Sequence, residues 1–358
     1  MPDLLTGFIA LLATWQLCFA RVVRAQDDNP NNVTLCGVSD FYNSTAVPYS
    51  FNNNKWGDDG TGFSCTNVLD QGESFSVTFQ WRGPADTVKA FPYLKLHPER
   101  LPVQLWNAST LHFSGNWSML VEGYDHDPEV QAVAYDNTAL KANAAIDMFL
   151  SDDITNSTGL GSPIEIMIWL WYPPTMLPLG HSESTPQIDT IEVSGTNFSL
   201  YHGWNAQGQN VFSWLAHQNM TSADDDFGPL LSYIWKKGLL SGALYLGQIE
   251  FGAEVMHAGE TTTFEANNYE LKLYREGDKD DPNPKPTSTA SMSKPTIMPT
   301  GQAGSSTSSS ASATSAAPNA SSSNAASASI PALSLRQKLC IVIPLVVSFF
   351  SGTLMFMN

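Results

Sequence analysis

Residues 164–170 read IEIMIWL, and this run alternates strictly between two kinds of side chain. Successive side chains of a β-strand point to opposite faces. The four aliphatic residues would therefore face a core, while Glu165, Met167 and Trp169 share the other face. A carboxylate in so apolar a strand is costly unless it is hydrogen-bonded or lies in a cleft. The run predicts a half-buried strand whose Glu165 either reaches solvent or belongs to a site.

A second run, residues 248–254, reads QIEFGAE and has a comparable pattern. Its odd-numbered positions are apolar, and its even-numbered positions are polar or small and include Glu250 and Glu254. Two strands that each present a glutamate on the polar face favour a carboxyl pair of the kind that cleaves glycosidic bonds.

Between residues 36 and 274 the chain consists of short alternating or apolar runs separated by Gly, Pro, Asn and Asp. Many short strands at this spacing are typical of an all-β sandwich or jelly roll, and about 240 residues are ample for one large core. One segment, 226–237, has apolar residues at helical spacing and predicts a single helix. The predicted strands include 74–81, 130–135, 144–150, 190–193, 198–202, 211–216 and 269–273.

The first 25 residues are typical of a secretory signal, with an apolar run from residue 4 to residue 20 and a short polar exit. Cleavage after Ala20 and cleavage after Ala25 both fit the pattern, and the second is favoured. We therefore expect a folded domain over residues 26–276 of a protein that is exported to the cell surface.

The composition changes abruptly beyond Arg275. Residues 277–335 are rich in Ser, Ala, Thr and Pro, which cannot bury enough apolar surface to fold and predict an extended stalk. Residues 336–358 are mostly apolar with basic residues on the near side only, which fits a GPI-attachment signal better than a retained membrane helix. Asn324 is the expected attachment site, with 321–323 as alternatives. The lipid would hold the protein in the outer membrane leaflet or at the cell wall.

The cysteines and the glycosylation sequons also favour export. Cys18 lies in the signal and Cys340 in the hydrophobic tail, which leaves Cys36 and Cys65 as the pair that an oxidising compartment would close. Eight Asn-x-Ser/Thr sequons in one chain are better explained by a glycosylating pathway than by chance. They begin at Asn32, Asn43, Asn107, Asn116, Asn156, Asn197, Asn219 and Asn319.

The formal net charge of −17 and a pI near 4.6 argue against a nucleic-acid partner. They suit an extracellular monomer that acts on neutral polymers. The histidines are far apart in sequence, and the chain has no phosphate-binding or dinucleotide-binding motif, so we expect neither a metal nor a cofactor. The acidic run 224–226 is interpreted as a helix cap with solvated neighbours rather than as a cation site.

Several sequence blocks occur in the order found in one enzyme family. They are 49–57 (YSFNNNKWG) followed by Cys65, 88–92 (VKAFP) with 101–102 (LP), 165–170 (EIMIWL), 201–205 (YHGWN) with 212–214 (FSW), and 251–254 (FGAE). On these blocks the chain resembles glycoside hydrolase family 12, the endoglucanases and xyloglucan-specific endoglucanases. The resemblance implies a concanavalin A-like β-jelly roll of two packed antiparallel sheets, with a concave substrate cleft and one helix.

The resemblance also implies a retaining mechanism on a β-1,4-glucan, which needs two carboxyl groups about 5–5.5 Å apart. Glu165 matches the nucleophile of the family and Glu254 its general acid/base. The charge of Glu165 would raise the pKa of Glu254, as that role requires. Asp147 matches an Asp that hydrogen-bonds the nucleophile; the alternative is an ordinary residue at a strand end.

Aromatic and polar residues near these blocks are candidate sugar contacts. Trp56 is the best candidate for a platform on which a pyranose stacks, with Asn54 as a neighbouring hydrogen-bond partner. The alternative for Trp56 is a position in the core. Met167 would form the floor of the site, and Trp169 and Trp171 are further candidate contacts.

The sequence departs from the family pattern around the acid/base motif. Glu250 and Ala253 stand where the family commonly has Gln and Thr, residues 255–260 replace an aromatic-containing loop, and Ile146 replaces an aromatic before the Asp. We expect an endo-β-1,4-glucanase acting on xyloglucan or mixed β-glucan. The alternatives are a transglycosylase that remodels wall glucan, and a carbohydrate-binding protein that has lost catalysis. The presence of both candidate catalytic glutamates argues against the last.

Overall fold

The computed structural model describes residues 29–159, 161–182 and 186–284. The predicted signal, nearly all of the stalk, the hydrophobic tail, Asn319 and Asn324 lie outside these residues. Within them the strands are β1 (Val33–Leu35), β2 (Phe41–Asn43), β3 (Tyr49–Asn52), β4 (Gly62–Leu69), β5 (Ser74–Trp81), β6 (Tyr93–Leu96), β7 (Val103–Gln104), β8 (Ala108–Val121), β9 (Lys141–Ala142), β10 (Ala144–Ser151), β11 (Ile164–Trp171), β12 (Asp189–Val193), β13 (Thr196–Trp204), β14 (Asn210–Ala216), β15 (Ser222–Asp226), β16 (Tyr245–Gly252) and β17 (Val255–Arg275), and the α-helices are α1 (Pro128–Asn137) and α2 (Gly228–Lys236).

The strands form two sheets. The smaller sheet has the order β1-β4-β5-β17-β8-β15, with β9 paired to β17. The larger sheet has the order β12-β13-β14-β11-β10-β16-β6-β3-β2, with β7 paired to β16. Among the described strands every pairing is antiparallel except that of β11 with β14, which is parallel. The expected sandwich of two sheets is confirmed, and the parallel pair is an addition to it.

Aromatic side chains from both sheets fill the core between them. Phe251 on β16 of the larger sheet packs on Phe113 of β8 in the smaller sheet, with ring centroids 4.4 Å apart. Phe264 on β17 contacts both Phe251 and Phe75 at its ring edge. Alternation along each strand places these rings on one face, so the inner faces of both sheets form one continuous apolar layer.

Strand β11 is buried on both faces, which differs from the predicted half-buried strand. Ile166 and Ile168 face the core, as the alternation predicts. The other face is covered by a second apolar cluster that includes Met167, Trp169 and Met176. The segment after β11 supplies Met176, so chain outside the strand covers a face that the alternation alone would leave open.

The helices differ from the single predicted one. Helix α2 lies within the predicted segment 226–237, but Asp226 ends β15, and its Oδ1 accepts hydrogen bonds from the N–H groups of Gly228 (2.8 Å) and Leu111 (3.0 Å). Neither helix in the described part of the chain has the length and apolar run that a membrane span requires.

The prediction of a strand over 130–135 is wrong, because helix α1 occupies this segment. Asp127 Oδ1 accepts hydrogen bonds from the N–H groups of Glu129 (2.9 Å) and Val130 (3.4 Å) and caps the helix. Pro128 follows at the first helical position, where its fixed φ favours a helix and its missing N–H has no consequence. Val130 and Val133 are exposed and Ala134 is buried, so the two β-branched residues that suggested a strand face solvent.

Cys36 and Cys65 form a disulfide, as expected, and it joins the end of β1 to β4. Residues 278–281, which the sequence analysis assigned to the stalk, contact the folded domain: Asp281 accepts a hydrogen bond from Thr110 Oγ1 (2.7 Å). The sequon asparagines in this part of the chain are exposed at Asn43, Asn116, Asn156, Asn197 and Asn219 and half-buried at Asn32 and Asn107.

Candidate active site

Three neighbouring strands of the larger sheet carry carboxyl groups on its outer face, the face turned away from the aromatic core. Asp147 on β10 lies directly opposite Glu250 on β16 and opposite Met167 on β11. Glu165 lies two residues before Met167 and so points to the same face. All three acids are buried. The register therefore brings Glu165 and Asp147 together, as the sequence analysis expected, and places Glu250, which the alternation had put on the polar face of its strand, beside Asp147.

Glu254 lies two residues beyond the end of β16 and is held by one amide side chain. Its backbone N–H donates to Asn143 Oδ1 (3.0 Å), and Asn143 Nδ2 donates to Glu254 Oε2 (3.0 Å). Asn143 is fully buried. This residue was missed by the sequence analysis, although an amide inside the apolar run 142–146 was a signal of the same kind as Glu165.

Glu165 also has an amide partner. Asn205 Nδ2 donates to Glu165 Oε2 at 3.3 Å, and it also donates to Gln209 Oε1 at 2.7 Å. The Asn205 Oδ1 atom accepts the N–H of Gln209 (2.9 Å), which fixes the orientation of the amide. Asn205 stands in the quoted block 201–205, but no role was assigned to it from the sequence.

Burial raises the pKa values of the acids, and repulsion from neighbouring carboxylates adds to it for Glu165 and Asp147. The pKa of Glu165 is raised to about 8 by burial and then by the charges of Glu254 and Glu250, against the Asn205 hydrogen bond. Burial raises the pKa of Glu254 to about 7, against the Asn143 hydrogen bond. Burial, and then the charges of the three glutamates, raise the pKa of Asp147 well above its usual range. Such a cluster holds protons on some carboxyls and charge on others. Because the pKa of Glu165 lies above that of Glu254, the roles expected from the sequence require a proton to move from Glu165 to Glu254 before reaction.

Glu250 has a cation beside it. Lys95 on β6 lies opposite Glu250, with Nζ 4.0 Å from Oε1, and the hydroxyl of Tyr93 also hydrogen-bonds Glu250. Burial still raises the pKa of Glu250 to about 8, although both partners lower it. Below that pH the group is therefore mostly a neutral carboxylic acid, similar in shape and polarity to a glutamine side chain.

Trp56 lies in a turn after β3 and is 51% exposed, which excludes the alternative of a core position. The turn is fixed to the segment 89–92: Gly57 N–H donates to the Lys89 carbonyl (3.0 Å), and Asn54 Nδ2 donates to the Phe91 carbonyl (3.1 Å). The Asn54 amide nitrogen is thus engaged with the backbone.

The same segment 89–92 also holds the chain around Glu254. Ala253 N–H donates to the Pro92 carbonyl (3.1 Å), and Val255 N–H donates to the Ala90 carbonyl (2.8 Å). The buried ammonium of Lys89 bonds Asp59 Oδ2 at 2.7 Å in the loop beyond Trp56. One short segment therefore links the Trp56 turn to the strand end that carries Glu254.

With this geometry established, a comparison with protein families gives a match to the glycosyl hydrolase family 12 model over residues 47–273. The chain belongs to glycosyl hydrolase family 12. It is therefore a glycoside hydrolase, and the resemblance read from the sequence blocks is confirmed.

Relatives and solved structures agree with this family. The chain is 26% identical to endoglucanase A of Aspergillus kawachii over 66% of this chain and 91% of that protein. It is 28% identical to the xyloglucan-specific endo-beta-1,4-glucanase A of Emericella nidulans over 67% and 90%.

Two family 12 structures show the fold. Endoglucanase 3 of Trichoderma harzianum matches with a TM-score of 0.57 and 22% identity, over 70% of this chain and 100% of that one. The family 12 xyloglucanase of Bacillus licheniformis matches with a TM-score of 0.55 and 22% identity, over 68% and 100%. The expected all-β jelly roll is confirmed.

In this family 12 hydrolase the other candidate sugar contacts are buried. Met167 is 4% exposed and Trp169 is 3% exposed, and the indole N–H of Trp169 points to the Met167 sulfur at 3.3 Å. Trp171 packs edge-on against Tyr135 of α1, with ring centroids 5.0 Å apart. Met167 and Trp169 thus form an apolar base beside Glu165, whereas Trp171 supports a helix.

The part of the chain that the structure describes contains no group of three or more His, Cys, Asp or Glu side chains that could hold a metal ion. The acids on the outer face are accompanied instead by the amides of Asn143 and Asn205 and by Lys95. This set can transfer protons and stabilise a carboxylate.

Proposed function

We propose that this family 12 hydrolase is a retaining endo-β-1,4-glucanase that acts on xyloglucan or mixed β-glucan, with Glu165 as nucleophile and Glu254 as general acid/base. The observation that carries the proposal is that each of the two glutamates is held by an amide side chain, Asn205 or Asn143, and that the charge of Glu254 raises the pKa of Glu165. The relatives named as endoglucanases and xyloglucanases support the choice of substrate class.

The reaction has two steps. In the first, the Glu165 carboxylate attacks the anomeric carbon while Glu254 donates its proton to the glycosidic oxygen, so the carbon–oxygen bond breaks and a glycosyl-enzyme ester forms. In the second, Glu254 takes a proton from water, the water oxygen attacks the anomeric carbon, and Glu165 leaves as a carboxylate. Between the steps Glu165 is esterified and Glu254 is ionised, and the proton that Glu254 takes from water restores the starting state.

Asp147 acts beside the nucleophile in this scheme. Its burial and the charges of the neighbouring glutamates raise its pKa, which favours a neutral group beside Glu165 over a second negative charge. A neutral neighbour stabilises the Glu165 carboxylate as the glycosyl-enzyme ester breaks, whereas an ionised one would oppose it.

The protein works outside the cell in this proposal, tethered by the stalk 277–335 and a lipid at Asn324. The Cys36–Cys65 disulfide and the exposed sequons support passage through an oxidising, glycosylating pathway. Treatment of intact cells with a phosphatidylinositol-specific phospholipase should release the protein into the medium. Retention on the cells would contradict the lipid anchor.

The test of the function is Glu165→Gln, measured on a panel of soluble β-glucans. We expect hydrolysis to be lost while the melting temperature stays the same or rises, because a buried acid is replaced by a neutral amide. The matched control is Glu265→Gln, at an exposed glutamate on β17 of the smaller sheet, which should keep full activity. Full activity in Glu165→Gln would overturn the assignment.

Transglycosylation is a second candidate, favoured by the apolar cluster beside Glu165. Met256, two residues after Glu254, packs with Met167 and Trp169 in this cluster. An apolar environment disfavours the entry of water. The glycosyl-enzyme ester then lasts longer, and a sugar hydroxyl can accept the glycosyl group. Product analysis with and without an acceptor oligosaccharide separates the two reactions, since only transglycosylation gives products longer than the donor.

A further inference from the structure

We propose that an N-glycan on Asn43 occupies the outer end of the sugar-binding groove and limits the length of glucan that the groove can hold. The proposal rests on the function proposed above, because it takes the outer face of the larger sheet as the groove. In this proposal the glycan competes with the substrate for one end of that groove.

Asn43 lies in the same cross-strand row as the acids. Its partner on β3 is Ser50, whose partner on β6 is Lys95. Lys95 lies opposite Glu250 on β16, and Glu250 lies opposite Asp147 on β10. Because directly paired residues point to the same face of a sheet, one line of side chains runs from the sequon to the acid cluster.

A cavity of about 250 Å³ lies at the outer end of this row. Residues of β2, β3 and β6 line it, among them Phe41, Asn43, Tyr93 and Lys95. Phe41 is 65% exposed and offers a ring for a sugar face, while Tyr93 reaches Glu250 at the inner end. The cavity therefore continues the groove from the acids towards the edge strand β2.

The dimensions fit a sugar chain that runs across the strands. Neighbouring strands lie about 4.8 Å apart, and one β-1,4-linked glucose is about as long as one such spacing. Strands β11, β10, β16, β6, β3 and β2 are successive neighbours, so a glucan that extends from Glu165 would reach Asn43 after about five sugars. The first two sugars of an N-glycan are themselves β-1,4-linked and can lie against the same walls.

The sequon is well placed for modification. Asn43 and Thr45, the two residues that define it, are both exposed. Among the described strands β2 pairs only with β3, so its other edge is free of strand partners. A bulky, hydrophilic glycan at this edge would also prevent pairing with another chain.

The sharpest variant is Thr45→Ala, because it removes the sequon and leaves the Asn43 side chain in place. The full chain and the variant are produced in a glycosylating eukaryotic host, and mass spectrometry of the Asn43 peptide gives the occupancy. We expect a glycan in the parent and about tenfold higher kcat/KM of the variant on a gluco-heptasaccharide, since one further sugar contact of about 1.4 kcal/mol corresponds to a factor of ten. The trisaccharide should be cleaved equally by both proteins.

The matched control is Ser118→Ala, which removes the Asn116 sequon on β8 of the smaller sheet. It should leave kcat/KM on both oligosaccharides unchanged. An unmodified Asn43 in the parent would overturn the proposal, as would an equal effect of Thr45→Ala on both oligosaccharides. If no protein cleaves either substrate, the proposed function fails instead. Binding of the heptasaccharide then decides the inference: tighter binding by Thr45→Ala supports it, and equal binding contradicts it.

Discussion

The two faces of the central strands of the larger sheet are both buried, but only the outer face buries acids beside its apolar side chains. On β16 the ring of Phe251 packs among aromatic rings from the smaller sheet, while its neighbour Glu250 points to the other face beside Asp147. Packing on the first face stabilises the fold. On the second face Asp147 Oδ1 is buried without a hydrogen-bond partner among the described residues. Burying an unpaired polar atom destabilises the folded state. The inner face therefore maintains the fold, and the outer face retains acids that a stable fold does not need.

The largest effect is expected from a substitution that disrupts packing on the inner face. Phe251→Ala should lower the free energy of unfolding by about 3–5 kcal/mol, because Phe251 is fully buried and contacts Phe113, Trp117 and Phe264. The measurement is the urea midpoint at pH 5.

The neighbouring substitution Glu250→Gln is the matched control for this comparison. At pH 5 it exchanges a neutral acid for an amide of the same shape, so we expect a change below about 1 kcal/mol. An equal loss in both variants would contradict the division between the two faces.

The second prediction concerns the pH dependence of stability, which the outer face should dominate. Glu250 and Glu254 have folded-state pKa values of about 8 and about 7, above their ordinary value of 4.5. The folded protein therefore keeps protons that the unfolded chain has lost, and the resulting stabilisation is fully present below pH 4.5 and is lost as the pH rises towards 8. We expect the free energy of unfolding to fall by roughly 2 kcal/mol or more between pH 5 and pH 8.

Urea midpoints at intervals across this range give the slope. Glu250→Gln should make the slope shallower, because one of the acids that bind the extra protons is gone. Glu265→Gln, on the solvent-exposed side of β17, should leave the slope unchanged. A midpoint that is constant from pH 5 to pH 8 in the parent would show that these acids are not buried as described.

A third prediction tests the amide that holds the candidate nucleophile. Asn205→Ala removes the 3.3 Å hydrogen bond to Glu165, which stabilises the charged form of that carboxyl and lowers its pKa. We expect about a tenfold loss in kcat/KM, or roughly 1.4 kcal/mol, with the acidic limb of the pH–rate profile moved to higher pH. Asn205→Asp keeps the shape but repels Glu165, so it should move the limb further. An unmoved limb in both variants would exclude a role for Asn205 in the ionisation of Glu165.

Sequence patterns predicted these faces to different extents. Alternation within one strand is local, so seven residues sufficed to predict which face of 164–170 carries Glu165 and which carries the core-facing isoleucines. The blocks that resemble the family then identified Glu254 and Asp147 as candidate site residues. The two amides were missed because their contacts are not local: Asn143 is 111 residues from Glu254, and Asn205 is 40 residues from Glu165. These pairs meet only through the register of the folded strands, which cannot be read from the sequence of one segment.

Local patterns also gave errors where a stronger local signal competed with them. The alternation over 130–135 favoured a strand, but Asp127 and Pro128 start a helix, and the cap outweighs the β-propensity of two exposed valines. Burial of the outer face of β11 was not predictable from the residues of that strand, because Met176 and Met256, which cover it, come from other segments. Burial of a strand face depends on what the rest of the chain lays over it.

The smallest expected effect lies within the outer face and compares two tryptophans. Trp56→Ala should raise KM for long β-glucans about fivefold, close to 1 kcal/mol, without a change in melting temperature, because the side chain is half exposed and the turn is held by Lys89 and Asn54 rather than by the ring. Trp169→Ala should do the reverse and lower the melting temperature, since that indole is buried beside Met167. If Trp56→Ala destabilises the protein and leaves KM unchanged, Trp56 is a packing residue, and the sugar-binding surface must be sought along the row that leads to Asn43 and the cavity beside Phe41.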